Sequence, residues 1–80
     1  MITELASKEK VIGVKQSRKA IRDGRAKQVF LACDADPAIT EPIEAMCRRQ
    51  NVRCAWIRSK KDLGKHCGID VAAAAAAAVE

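Results

Sequence analysis

With 80 residues the chain makes one small domain that buries only about 60% of its unfolded surface, which excludes a two-domain enzyme with a deep cleft. Half of the composition is apolar and no window has the length and apolarity of a membrane span or signal peptide, so a folded, soluble, cytoplasmic protein is expected. Fifteen Lys and Arg against ten Asp and Glu leave a net charge of +5, which suits a polyanionic partner such as nucleic acid and equally a well-solvated surface.

Thr3 to Lys10 reads as a short helix capped by Thr3, and Val11-Ile12 as a brief strand ending at Gly13. From Val14 to Asp23 the spacing is helical: Val14, Ser17 and Ile21 share one stripe, while Lys15, Lys19 and Arg22 share another, and Gly24 stops the helix. Gln28 to Cys33 has the continuous apolar character of a strand covered on both faces. After a turn at "DADP" comes a second helix with Ile39, Ile43, Met46 and Cys47 on one face, and Thr40 with Glu41-Pro42 offers it a cap and a proline-tolerant first turn.

Asn51 closes that helix, residues 52–57 make another strand, and Ser59 with Asp62 forms a capping-box-like start to a short helix that Gly68 ends. Val71 is followed by seven alanines, which read as helix on propensity although alanine also fits a crowded strand. Strands alternating with helices in such short units predict an α/β fold, a three-layer α/β/α sandwich around a small mixed sheet, as a single domain over residues 1–80.

Phe30 and Trp56 are the only aromatic rings, and both sit in strand-like runs where core packing is expected; base stacking on aromatic platforms is therefore not. Cys33, Cys47, Cys54 and Cys67 lack the close pairings of zinc or thioredoxin-like sites and are expected to be free thiols in a reducing compartment, mostly buried, with no metal or cofactor bound.

An apolar strand followed by Asp34-x-Asp36 resembles the start of haloacid-dehalogenase-type phosphatases, with one carboxylate as nucleophile and the other as acid/base around magnesium. Ala38 stands where that motif has Thr or Val, the chain is too short, and no downstream acidic pair completes the metal site. Asp36 before Pro37 is better read as a helix cap, with Asp34 bonding amides of the turn. Cys67 beside His66 lacks a third orienting group, and His66 reads as a surface residue near a helix end.

"GVKQSRKA" (13 to 20) is more informative, because a glycine at a strand-to-helix junction lets a ligand approach and the first-turn amides suit phosphate. Lys15, Gln16 and Lys19 stand on one side; Lys donates to guanine O6 and N7, and a Gln amide both donates and accepts. A solvated basic face is the plain alternative.

"GVKQSRKAI", "VFLACDADP", "IRSKKDLGKHCGIDV" and the alanine-rich end, in this order and at these separations, resemble the L-seven-Ae/L-thirty-e ribosomal protein family, and most of all its small bacterial kink-turn-binding members. The resemblance implies a non-enzymatic RNA-binding protein that recognises a kink-turn, an RNA duplex bent at a short bulge beside tandem sheared G·A pairs. Its target would be ribosomal RNA or a structured regulatory RNA, and it would act as a monomer without cofactor, away from membranes.

Carried over by position, Gly13 becomes the close-approach glycine, Lys15 and Gln16 the guanine-reading pair and Lys19 the basic residue one turn later. In archaeal and eukaryotic members that pair is Asn-Glu, so this chain carries the bacterial variant. A second contact surface would comprise Asp36, Thr40, Lys60 and the segment Gly68-Ile69-Asp70-Val71, with Asp36 accepting from an extruded base and Ile69 and Val71 supplying apolar contact. The same resemblance makes the tail a strand, roughly Ala74 to Val79. The rival reading is a protein-interaction module of the same fold without specific RNA binding.

Overall fold

The computed structural model describes residues 10–69 and 71–79. In chain order they form β1 (Lys10–Ile12), α1 (Val14–Arg22), β2 (Gln28–Ala32), α2 (Pro37–Gln50), β3 (Arg53–Ile57), α3 (Lys60–Cys67) and β4 (Ala75–Ala78). The helix expected from Thr3 lies outside the described residues except for Lys10, which opens β1.

The strands form one sheet in the order β1-β4-β2-β3, with β4 antiparallel to both neighbours and β2 parallel to β3. Along each strand alternate side chains face opposite sides, and each side has its own core. Val29, Leu31, Ala75 and Ala77 pack with Ile21 of α1 and Ile43 and Cys47 of α2. Phe30, Ala76 and Ala78 pack with Leu63 and Cys67 of α3. The result is the three-layer α/β/α arrangement around a small mixed sheet.

β4 explains why the alanine run is not a helix. Helix propensity favours alanine by only tenths of a kcal/mol per residue over its neighbours in the ranking. As an inner strand, Ala75–Ala78 instead pairs along both edges and is buried on both faces. Methyl side chains let helices approach closely from either side, a fit that larger residues would prevent.

Trp56 departs from the expected core packing. β3 is an outer strand, and its Ala55 and Ile57 turn toward the α3 side; Trp56 has the opposite parity and stays 45% exposed at the sheet edge. Phe30, on an inner strand, is 1% exposed as expected.

Of the two caps the sequence offers for α2, the structure uses Asp36 before Pro37 and not Thr40: the Asp36 Oδ1 accepts from the Ala38 amide at 2.9 Å, with Pro37 in the first turn. Helix geometry therefore begins a turn before Thr40-Glu41-Pro42, and Pro42 lies inside the helix. Its missing N–H costs only the bond to the exposed Ala38 carbonyl near the helix start. The other boundaries fall near expectation, with Asn51 and Gly68 in the left-handed region at φ 60° and 79°.

Candidate nucleic-acid interface

The strand register brings the chemistry to one edge of the sheet. The Gly13 amide bonds the Ala75 carbonyl at 2.9 Å, the Ala32 amide bonds Ala74 at 3.0 Å, and the Cys33 amide bonds Ile57 at 2.7 Å. The C-terminal ends of β1, β2 and β3 therefore lie side by side with the segment that enters β4. All three helices start from that edge, each directing roughly half a positive charge of backbone dipole toward it. In open α/β sheets the crevice beyond the strand ends is where ligands bind.

The helix starts differ in how they are satisfied. Asp36 caps α2, and Ser59 caps α3 by accepting from the Asp62 amide at 3.0 Å. Among the described residues, α1 has no side-chain cap, and its first turn holds no acidic residue. Gly13 precedes it at φ 111° and ψ 159°, a conformation that side chains oppose, and a Cβ there would meet open space. The first-turn amides of α1 are thus left to solvent or to a ligand, beside the exposed Lys15, Gln16 and Lys19. Ser17, Ala20 and Ile21 turn inward, so the two stripes are arranged as their spacing predicts. Lys15, Gln16 and Lys19 also border a hollow of about 370 Å³ with Arg18, Arg22 and Met46.

At the neighbouring starts, Asp36 is exposed, and the bond to Ala38 engages Oδ1 alone. Asp34 does not serve the amides of its own turn; its Oδ1 accepts from the Lys60 amide at 2.8 Å, tying the β2–α2 turn to α3. Lys60 itself is exposed. Thr40 is 3% exposed, with its amide on the Asp36 carbonyl at 3.1 Å, so its side chain is withheld from the surface where it was expected.

The segment before β4 is laid over α3. The Ile69 amide bonds the Gly64 carbonyl at 3.0 Å, and the Ala73 amide bonds Lys60 at 3.1 Å. Gly64 is required by this approach, because a Cβ there would overlap the Val71 carbonyl. Gly68 is exposed, Val71 is 68% exposed, and Ile69 is half-buried against the α3-side core. Asp70 lies outside the described residues. Gly64 and the Asp34 tether were missed by sequence reasoning; their only sequence signal was a small residue and a carboxylate near a turn.

The thiols considered for catalysis are dispersed or buried, and both Asp34 and Asp36 are taken up by helix-start amides. All four cysteines are free; Cys47 and Cys67 are buried, Cys54 is half-buried and Cys33 is exposed. The Cys47 thiol is pushed up by its hydrogen bond with Cys54 and by burial, while that bond lowers Cys54. Burial pushes the Cys67 thiol up, which opposes thiolate formation, and the adjacent His66 is exposed in the last helical turn. No cluster of metal-ligating side chains occurs among the described residues, and no helix among them is long and apolar enough to cross a membrane.

The solved structure of a 15.5kD RNA binding protein from Giardia lamblia matches this fold with a TM-score of 0.87 and 26% identity, over 98% of this chain and 66% of that one. The architecture is thus that of a small α/β domain found in an RNA-binding protein. In sequence, the chain is 36% identical over 78 residues to an RNA-binding protein of Caldanaerobacter subterraneus subsp. tengcongensis, covering 98% of this chain and 95% of the relative. It is 45% identical over 67 residues to RNA-binding protein YbxF of Geobacillus stearothermophilus, covering 84% and 82%.

The chain belongs to the ribosomal protein L7Ae/L30e/S12e/Gadd45 family, whose model matches residues 3–80. These relatives carry the names of RNA-binding proteins and not of enzymes, which sets aside the phosphatase and thiol-enzyme readings.

Proposed function

We propose that this protein binds RNA at the edge where its helices start, and that its preferred target is a kink-turn in ribosomal or structured regulatory RNA. The observation that carries the reading is the uncapped start of α1, flanked by exposed Lys15, Gln16 and Lys19 and preceded by a glycine with open space before it. The Lys15 ammonium donates to guanine O6 or N7, the Gln16 amide donates and accepts at the sheared G·A pairs, and Lys19 meets phosphate. The free oxygen of Asp36 accepts from the amino or imino group of an extruded base. Val71, with Ile69 beside it, supplies apolar contact to bulged bases, with Lys60 and Gly68 at the margins.

Binding of this kind shifts the RNA toward its bent state by the difference in affinity for bent and straight forms. No metal or cofactor takes part, and the monomer carries the whole site.

The test is a titration of a kink-turn duplex and of the same duplex with its G·A pairs converted to Watson–Crick pairs. Preferential binding of the first supports the reading, and equal affinity for both overturns kink-turn recognition. The exposed Trp56 on the outer strand β3 gives a protein-interaction reading a foothold. Failure to bind either duplex would favour that reading.

A further inference from the structure

The basic surface does not stop at the guanine-reading turn. The hollow beside Lys15 and Gln16 continues into a second one of about 570 Å³, and the two share Arg18, Arg22 and Met46. The second hollow ends at Arg49 and Gln50, on the last turn of α2. Together they make a trough between α1 and α2 that starts at the candidate interface and runs ~10 Å along α1, a few base-pair steps of a duplex, before reaching α2.

Among the described residues, no acidic side chain lines either hollow. Of the nearby acids, Glu44 pairs outside the hollows with Arg48 at 3.5 Å, while Asp23 meets the lining Arg22 at 3.7 Å, a pair open to solvent that a phosphate can displace. Among the described residues, Arg18 and Arg49 have no ion-pair partner. Met46, half-buried, gives the trough an apolar floor between its cationic walls.

Cations along the walls without lining carboxylates complement a linear polyanion that leaves the guanine-reading turn in this direction. We infer that the trough holds the phosphate backbone of the RNA stem that continues beyond the G·A pairs, with Arg18, Arg22 and Arg49 as sequence-independent phosphate contacts. The inference rests on RNA entering at α1, and it adds a second role: the protein grips the stem as well as reading the bend. Phosphate contacts position a nucleic acid without reading its sequence, and each one releases counterions.

The experiment compares the wild type with an Arg22→Ala/Arg49→Ala double variant on two kink-turn duplexes, one with a long stem beyond the G·A pairs and one cut back to those pairs. Kd is measured across a salt series, and thermal melting confirms that both proteins fold. On the long stem the double variant is expected to lose about two from the slope of log Kd against log salt, about one for each contact. On the short stem the two proteins should share one slope, and an Arg22→Lys/Arg49→Lys variant should restore most of the loss on the long one.

An unchanged slope on the long stem, in a folded double variant, overturns the inference. The underlying kink-turn reading is tested separately, by wild-type discrimination against the Watson–Crick duplex. That discrimination should persist in the double variant if the trough only grips the stem.

Discussion

The carboxylate of Asp34 accepts a 2.8 Å hydrogen bond from the backbone amide of Lys60, 26 residues further along the chain. The Lys60 carbonyl in turn accepts from the Ala73 amide at 3.1 Å. One residue at the start of α3 thus joins the β2–α2 turn to the segment entering β4, and the two halves of the second contact surface are held in one frame. The carboxylate also satisfies a first-turn amide and complements the dipole of α3.

Asp34→Ala should therefore lower stability by about 1 kcal/mol, the usual cost of removing a side-chain acceptor from a helix start. Chemical denaturation measures it. Asp34→Asn retains an acceptor oxygen and should recover most of the loss. Kink-turn affinity should fall in the alanine variant through displacement of the turn, with G·A discrimination maintained because α1 is untouched.

Gly64→Ala places a methyl group against the Val71 carbonyl, and the backbone at Val71 and Ala72 must move to admit it. Overpacking of this kind costs about 1–3 kcal/mol. The variant should melt at lower temperature and bind RNA more weakly, since the displaced segment carries Val71. Gly24→Ala is the control: its φ of +74° carries a strain cost, but nothing lies near the added methyl and the far end of α1 is remote from Val71, so affinity for a duplex cut back to its G·A pairs should hold.

Within the proposed reading of guanines, Lys15→Ala or Gln16→Ala should narrow the difference between the kink-turn duplex and its Watson–Crick counterpart by about 1–3 kcal/mol. Lys61→Ala changes an exposed residue of α3. It should mainly reduce salt dependence. Equal narrowing by Lys15→Ala and Lys61→Ala, with none by the neutral Gln16→Ala, would show that charge rather than base edges sets the preference.

The thiols give a test independent of RNA. Cys33 should react quickly with an alkylating reagent in the native protein, Cys54 slowly, and Cys47 and Cys67 only after unfolding, following their exposure. Burial raises the Cys67 thiol above its ordinary 9.0, so the folded state keeps this proton longer than the unfolded chain does. Its contribution is therefore complete below about pH 9 and is lost as pH rises further. A denaturation series should show stability falling on that alkaline limb, and Cys67→Ser should flatten the fall.

What could be read from the sequence was local or periodic. Ser59 with Asp62 marked a helix start, Asn51 and Gly68 marked helix ends, and the stripe of Lys15, Gln16 and Lys19 showed its orientation through the spacing of Ser17 and Ile21. Trp56 was misplaced because strand order decides which strand is outermost, and a strand's own residues do not record it. The alanine tail posed the same difficulty in reverse, since an inner position overrode helix propensity there. The Asp34 tether, the role of Gly64 and the trough depend on how distant segments meet, so no spacing pattern announced them. Pro42 offered a second, later helix start beside the one at Asp36-Pro37, because a proline tolerated near a helix beginning looks like the beginning itself.

Asp36 has two roles to separate, and substitution by serine can separate them. Its Oδ1 caps α2 through the Ala38 amide, while the proposed base contact uses the other oxygen. Asp36→Ala removes both, and should cost about 1 kcal/mol of stability together with kink-turn affinity. Asp36→Ser keeps a hydroxyl acceptor suited to the cap but presents no carboxylate to a base. Stability of the serine variant should therefore stay near wild type while its kink-turn affinity falls to that of the alanine variant. If affinity instead follows stability, with serine close to wild type in both, Asp36 acts on RNA only by fixing the start of α2. A duplex lacking the bulged nucleotides supplies the internal control, since loss of a contact to an extruded base should then make the wild type and the serine variant bind alike.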